Sequence, residues 1–257
     1  MLRHAINSVL GAMEEVLVVG TPVVSRRERA RAATIEEIKT TALSVMREQG
    51  TTDCRFTDIA RLMGMTAPAL YRYYGDRDEL LTDLITDAYA DLGTALGDAL
   101  GAIDPRDIGG RWLAAAEVYR EWARREPQQF ALVLGMPVPG YVAPDEGPTT
   151  EAAKRAMSQL ASLFVAAAEM GELRAPLVRE VSAGIAACEA EKHPEIEGLV
   201  PPESFQAMLH AWASLHGFVS LEAYGHFDWM TDVDRDALFR SHVRVIAMAA
   251  GIPAPPA

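Results

Sequence analysis

Cysteine is scarce in this 257-residue chain: Cys54 and Cys188 are its two. They lack any metal-binding or redox spacing, which leaves two buried thiols in a reduced cytoplasm as the reading. Long apolar runs are also missing. No segment approaches about 18 uninterrupted apolar residues, so no membrane-spanning helix is expected. The start of the chain places Arg3 and His4 before an apolar stretch, but Glu14 and Glu15 interrupt it and Val16–Val19 is too short for a leader. The protein is therefore expected to be soluble and cytoplasmic. Leu2, Ile6, Leu10, Met13 and Leu17 would share one side of a helix. They form either a short accessory helix or a stretch ahead of the true start, with Met13 as one candidate.

Catalytic and metal patterns are missing as well. No Gly-rich phosphate loop, nucleophile elbow or paired-carboxylate site stands out. The six histidines lack zinc-ligand spacing. Asp232, Asp234 and Asp236 resemble the start of a calcium loop, but Ala237 stands where glycine is needed and Val243 where glutamate is needed. They read instead as caps of the last helix. No enzyme, cofactor or metal is expected.

What is present is a helical pattern. Nearly half the residues, 49%, are apolar, alanine runs throughout, and glycine and proline gather in a few places. This points to an all-α chain with a sizeable core. The net charge of −12 looks wrong for a partner of nucleic acid, but its distribution does not. Residues 21–77 carry ten Lys and Arg against seven Asp and Glu, a net of +3, whereas residues 78–257 carry 13 against 27, a net of −14. A small basic domain precedes a large acidic one, and DNA would be drawn only to the first.

Three stretches follow: an extension over 1–25, a basic domain over 26–77 and a helical domain over 78–252. Arg26, Arg27, Arg29 and Arg31 form a basic arm. Ile35, Ile38, Ala42, Val45 and Met46 then keep a 3.6-residue period up to Gly50. Short helices are expected at about 56–63 and 67–74, the second capped by Thr66, with Gly64 turning between them. A long helix starts at Asp76–Asp78 and runs to about 100. Further helices carry Trp112 to Trp122, Pro127 to Leu134, Met157 to Ala167, and Leu177 to Cys188. Two long segments close the chain at about 203–224 and 232–250. Residues 135–148 and 191–202 are loops, and the PAPPA tail is expected to be disordered.

The informative stretch is 56–80, FTDIARLMGMTAPALYRYYGDRDEL. Ile59, Ala60, Leu62, Met65 and Leu70 have helix-turn-helix spacing, and the second helix is suited to enter a major groove by its N-terminus. Tyr71, Arg72 and Tyr73 cannot all point inward from one short helix, whereas Tyr74 reads as core. The run TAPALYRYYGDRDELL resembles the DNA-binding signature of the tetracycline-repressor family. The resemblance covers about residues 30–85. It implies that Thr57, Ala67, Pro68, Ala69, Tyr71, Tyr73 and Arg77 face DNA. The residues add Arg55, Thr66 and Arg72 as polar candidates. Arg55 departs from the Ser or Thr expected before the first motif helix. Asp53 or Thr57 could cap in its place, or Arg55 could itself touch DNA.

A second resemblance lies at Ala211–Phe227, similar to a C-terminal domain in one branch of the family where Trp-x-x-x-His-Gly recurs in a dimer-forming helix. It suggests a dimer face from Leu209, Trp212, Ala213, His216, Gly217 and Ser220, although His216 also reads as a core histidine. Trp112, Tyr119, Trp122, Phe130, Met136, Phe164 and Met170 are either core or the lining of a pocket. The resemblance implies a homodimer on a palindromic operator in double-stranded DNA, acting as a repressor released by a small molecule. Such a pocket would suit a largely hydrophobic effector, with loop 135–148 over its entrance. The rival reading is an acidic helical ligand-binding or interaction protein whose DNA-binding domain no longer works; a shift assay at low salt separates the two.

Overall fold

The computed structural model describes residues 25–135, 137–144, 146–185, 187, 198–231 and 233–255. The extension over 1–24, Met136, Cys188, Asp232 and the first part of loop 191–202 lie outside the described residues. Every extended regular element among the described residues is a helix. They are α1 (Arg26–Gln49), α2 (Phe56–Leu62), α3 (Ala67–Leu70), α4 (Arg77–Gly101), α5 (Ile108–Arg125), α6 (Pro127–Leu134), α7 (Pro148–Glu169), α8 (Pro202–Ala223) and α9 (Arg235–Ala250). None is long and apolar enough to cross a membrane.

The caps follow from residue chemistry. Ser25 and Glu28 form a reciprocal capping box at the head of α1, so the four arginines begin a helix rather than an extended arm. Asp76 accepts from the Glu79 amide at the head of α4, and Asp107 and Asp234 cap α5 and α9 in the same way. Gly64, at φ 64°, turns the chain between α2 and α3 in a conformation that costs a side-chain-bearing residue energy.

Two hydrophobic cores form, and α4 serves both. Its first half gives Leu80, Leu81, Leu84 and Ile85 to a core shared with Ile38, Met46, Ile59 and Leu70. Its second half gives Ala88, Leu92, Leu96 and Leu100 to a core with Trp112, Trp122, Phe164 and Phe239. The most extensive helix pairing is α4 with α7, where Gly93 lies against Ala156.

The described part of loop 135–148 packs against the N-terminal core. Val138 is 6% exposed and packs into the N-terminal core beside Leu132 of α6. Tyr141 shares a 3.0 Å hydrogen bond with Thr82 of α4. The helix expected from Leu177 differs. Residues 172–182 are irregular, because Pro176 interrupts the pattern and the Arg174 and Leu177 amides donate to Gly251 and Ala249 at the end of α9. The tail, expected to be disordered, is packed at Pro255, whose carbonyl accepts from Arg244 at 2.8 Å. Ala254 lies so close over Gly109 that a Cβ there would stand 2.8 Å from its carbonyl oxygen.

One charge network with a buried centre joins three helices. Arg120 of α5 donates from Nε and Nη2 to the Glu222 carboxylate of α8, each at 2.6 Å, and from Nη1 to Asp236 of α9 at 2.8 Å. Burial alone would raise the Glu222 carboxyl, but the hydrogen bonds and charges of Arg120 and Arg124 outweigh it and hold the group below its ordinary value. A depressed carboxyl stabilises the fold above its unfolded-state pKa, and that contribution is lost as pH falls through the folded value.

Replacing Arg120 with methionine should cost about 2–4 kcal/mol, because buried Glu222 then keeps only the 2.9 Å contact of the exposed Arg124. Adding Glu222→Leu should recover most of that loss. Urea unfolding of the single and double variants checks both, and a double variant no more stable than Arg120→Met would contradict the account.

Candidate nucleic-acid interface

The recognition segment is shorter than its sequence pattern suggests. α3 holds Ala67–Leu70, and tight turns carry the chain on to Tyr73. The Tyr73 and Tyr74 amides both donate to the Leu70 carbonyl, the first as an i to i−3 bond that tightens the last turn. Tyr74 is then drawn into the core, where its hydroxyl donates to Asp83 at 2.6 Å. Burial and that carboxylate both push its phenol up.

The remaining side chains divide by exposure. Arg55, Thr57, Thr66, Pro68, Tyr71 and Arg72 are exposed, while Ala67, Ala69 and Tyr73 are half-buried. Thr66 occupies the cap position, yet its hydroxyl makes no cap hydrogen bond. Arg55 occupies the equivalent position before α2 without a side-chain cap either. The alternative cap, Asp53, is engaged elsewhere. Tyr71 is 58% exposed, but its ring leans on Phe56 with centroids 5.1 Å apart.

Arg77, expected at the DNA surface, is turned into the protein. Its Nε and Nη2 meet Asp53 at 2.7 and 2.6 Å, and Nη2 also donates to the Pro139 carbonyl at 3.3 Å. It thus pins the head of α4 to the loop before α2 and to the 135–148 loop. Lys39 is likewise committed, with Glu36 and Asp87 both at 2.6 Å. The exposed cations on this half include Arg26, Arg27, Arg55, Arg61 and Arg72. Arginines in the first turn of α1 stand at the positive end of its dipole, an unfavourable place that a bound anion would relieve. Cys54 is buried, and burial pushes its thiol up to about 11, which leaves it unreactive at neutral pH.

In the larger domain, Trp112, Tyr119, Trp122, Phe130 and Phe164 are packed core side chains. Met170 is exposed at the end of α7, and Met136 lies outside the described residues. Around Phe130 an aromatic nest closes. Tyr119 bonds His216 Nδ1 at 2.8 Å, and Trp212 stacks on His216 with centroids 5.4 Å apart. Burial pushes the His216 imidazole down. Apolar and polar surface clefts of about 240 and 190 Å³ lie elsewhere, the first between α8 and α9 and the second around Arg120 and Arg124.

The residues expected at a dimer face therefore split. Trp212 and His216 turn toward α5 of their own chain, and Ser220 lies within 3.2 Å of His216 Nε2. Leu209 and Ala213 are exposed, and Gly217 faces open space. Leu221 continues that face, and α9 adds exposed Leu238, Val245 and Met248. Asp53, Phe56 and Arg31 carry support roles that sequence reasoning missed, because each partner lies far along the chain.

Residues 38–84 match the family model described as bacterial regulatory proteins, tetR family, and residues 112–246 match a tetracyclin repressor-like, C-terminal domain. The HTH-type transcriptional regulator Rv1816 of Mycobacterium tuberculosis strain H37Rv is 31% identical over 229 residues, covering 87% of this chain and 97% of the relative. The crystal structure of SCO4313 aligns with a TM-score of 0.67 and 34% identity, over 86% of this chain and 98% of that one. A TetR family transcriptional regulator, PfmR from Thermus thermophilus, aligns with a TM-score of 0.54 over 84% of this chain and 98% of that one; at 17% identity it shows the fold alone.

Arg77→Ala should lower stability by about 1–2 kcal/mol by releasing this clamp. Asp53→Ala should add little on top, since both changes remove one pair. Equilibrium unfolding of the two single variants and the double variant measures the coupling, and full additivity would show that the pair is not holding the two segments.

Proposed function

This chain belongs to the tetR family of bacterial transcriptional regulators, and from that premise we propose that it is a repressor that binds a palindromic operator as a homodimer and is released by a small hydrophobic ligand. The observation that carries the reading is the exposed row Thr57, Thr66, Pro68, Tyr71 and Arg72 on a rigidly packed support, in the one basic part of an acidic chain.

The proposed roles follow from chemistry. Arg55, Thr57 and Arg72 are the polar readers of base edges, and Ala67, Pro68 and Ala69 contact thymine methyls. The Thr66 and Tyr71 hydroxyls, the Tyr73 hydroxyl and the basic first turn of α1 hold phosphates. Bidentate base readers are few, so part of the selectivity comes from DNA shape.

A palindrome requires two linked recognition segments with half-sites about 34–36 Å apart. The apolar faces of α8 and α9, carrying Leu209, Ala213, Gly217, Val245 and Met248, supply the link to a second copy. The effector acts on the aromatic nest around Phe130. That nest is closed, so the ligand must select a more open state and favour it over the DNA-bound one. Support for the route to DNA comes from α6, which places Phe130 in one core and Leu132 in the other, and from α4, which serves both.

Two outcomes test the reading. If a dimer contacts about 6–10 phosphates, raising salt from 50 to 200 mM should weaken binding by roughly 10³–10⁵; an affinity flat in salt removes the interface. Gly217→Glu should give folded monomers with weakened operator binding, read by light scattering and a shift assay. A folded monomer that binds the full operator as tightly as wild type would show that the dimer is not required.

A further inference from the structure

The recognition segment ends abruptly. One helical turn and two tight turns leave its last carbonyls without helical partners. One of them, the Arg72 carbonyl, accepts a 2.9 Å hydrogen bond from Arg31 Nη1, a residue 41 positions away on α1. The same guanidinium lies over the Tyr73 ring, with its central carbon 5.2 Å from the ring centroid. A planar guanidinium can donate in its plane while its face covers a ring, which an ammonium cannot do.

We infer that Arg31 is a positioning residue for the recognition segment, tying α1 to the backbone that projects Tyr71, Arg72 and Tyr73, and not a phosphate ligand like its neighbours on the basic turn. The inference rests on the DNA-binding reading above. The segment has three supports of different kinds. Tyr71 leans on Phe56, Tyr74 is anchored in the core by Asp83, and Arg31 holds the stretch between them. Loosening that middle support lets Tyr71 to Tyr73 shift while the core stays intact. Contacts to base edges depend on placement, whereas the attraction of phosphates depends mainly on charge. Losing Arg31 should therefore damage selectivity more than overall attraction to DNA.

The test compares full-length wild type with Arg31→Gln and Arg31→Lys. For each, affinity for the selected operator and for a random duplex is measured from 50 to 200 mM salt. Amide hydrogen exchange is followed in the DNA-free protein. Arg31→Gln should bind the operator about five- to tenfold more weakly, hold random duplex within about twofold, and keep the slope of affinity against salt. Residues 66–74 should exchange faster in the free protein. Arg31→Lys keeps the charge but lacks the planar fork, and should resemble Arg31→Gln. The inference is overturned if operator and random duplex weaken together with a shallower slope, the signature of a lost phosphate contact. It is equally overturned if lysine restores full operator affinity, or if exchange over 66–74 is unchanged. A wild-type chain without any sequence preference would defeat the DNA-binding reading, while the exchange measurement would still decide whether the tether exists.

Discussion

The double commitment of α4 is the constraint on which the other features depend. Its first turns are built into the core of the DNA-binding half, through Leu80, Leu81, Leu84 and Ile85, and its later turns into the core of the larger domain, through Leu92, Leu96 and Leu100. A helix bound at both ends cannot tilt against one domain without disturbing the other, because packed cores resist continuous deformation. The α6 helix and the segment after it reinforce this link. Phe130 lies in the aromatic nest, Leu132 and Val138 lie in the other core, and Pro139 accepts from Arg77 at the head of α4. The two halves of the chain are therefore coupled by two routes rather than one.

The recognition segment depends on that frame. A helix of one turn has little stability of its own, since nucleation is costly and few hydrogen bonds repay it. Its geometry is supplied from outside, by Phe56 under Tyr71, by Asp83 on Tyr74 and by Arg31 on the Arg72 carbonyl. Rigidity is concentrated behind the segment, and the side chains that would meet DNA remain outside it.

Much of this was legible in the sequence because it is local. The caps of α4 and α9, the turn at Gly64 and the apolar spacing of Ile59, Ala60, Met65 and Leu70 are short-range patterns, and the structure contains them, whereas Leu62, expected in the same core, is exposed at the end of α2. What the sequence did not disclose is pairing at a distance. The resemblance turned Arg77 toward DNA, and its pairing with Asp53, 24 residues earlier, was not legible. Composition marked 135–148 as a loop but not the surface it meets, which is the N-terminal core through Val138 and Tyr141. The resemblance grouped Trp212 and His216 with Leu209 and Ala213 in one dimer face, but a shared helix does not name the neighbour of each side chain. Tyr119, 97 residues from His216, decides which face turns inward.

The central claim is that the exposed row from Thr57 to Arg72 reads DNA in two copies held at a fixed spacing. Sequencing of DNA selected from a random pool by the full-length protein at low salt tests it most directly. The account predicts enrichment of an inverted repeat whose half-sites are centred about 34–36 Å apart, roughly one helical turn of DNA. A pool without enrichment, or one dominated by a single unrepeated half-site, would contradict it.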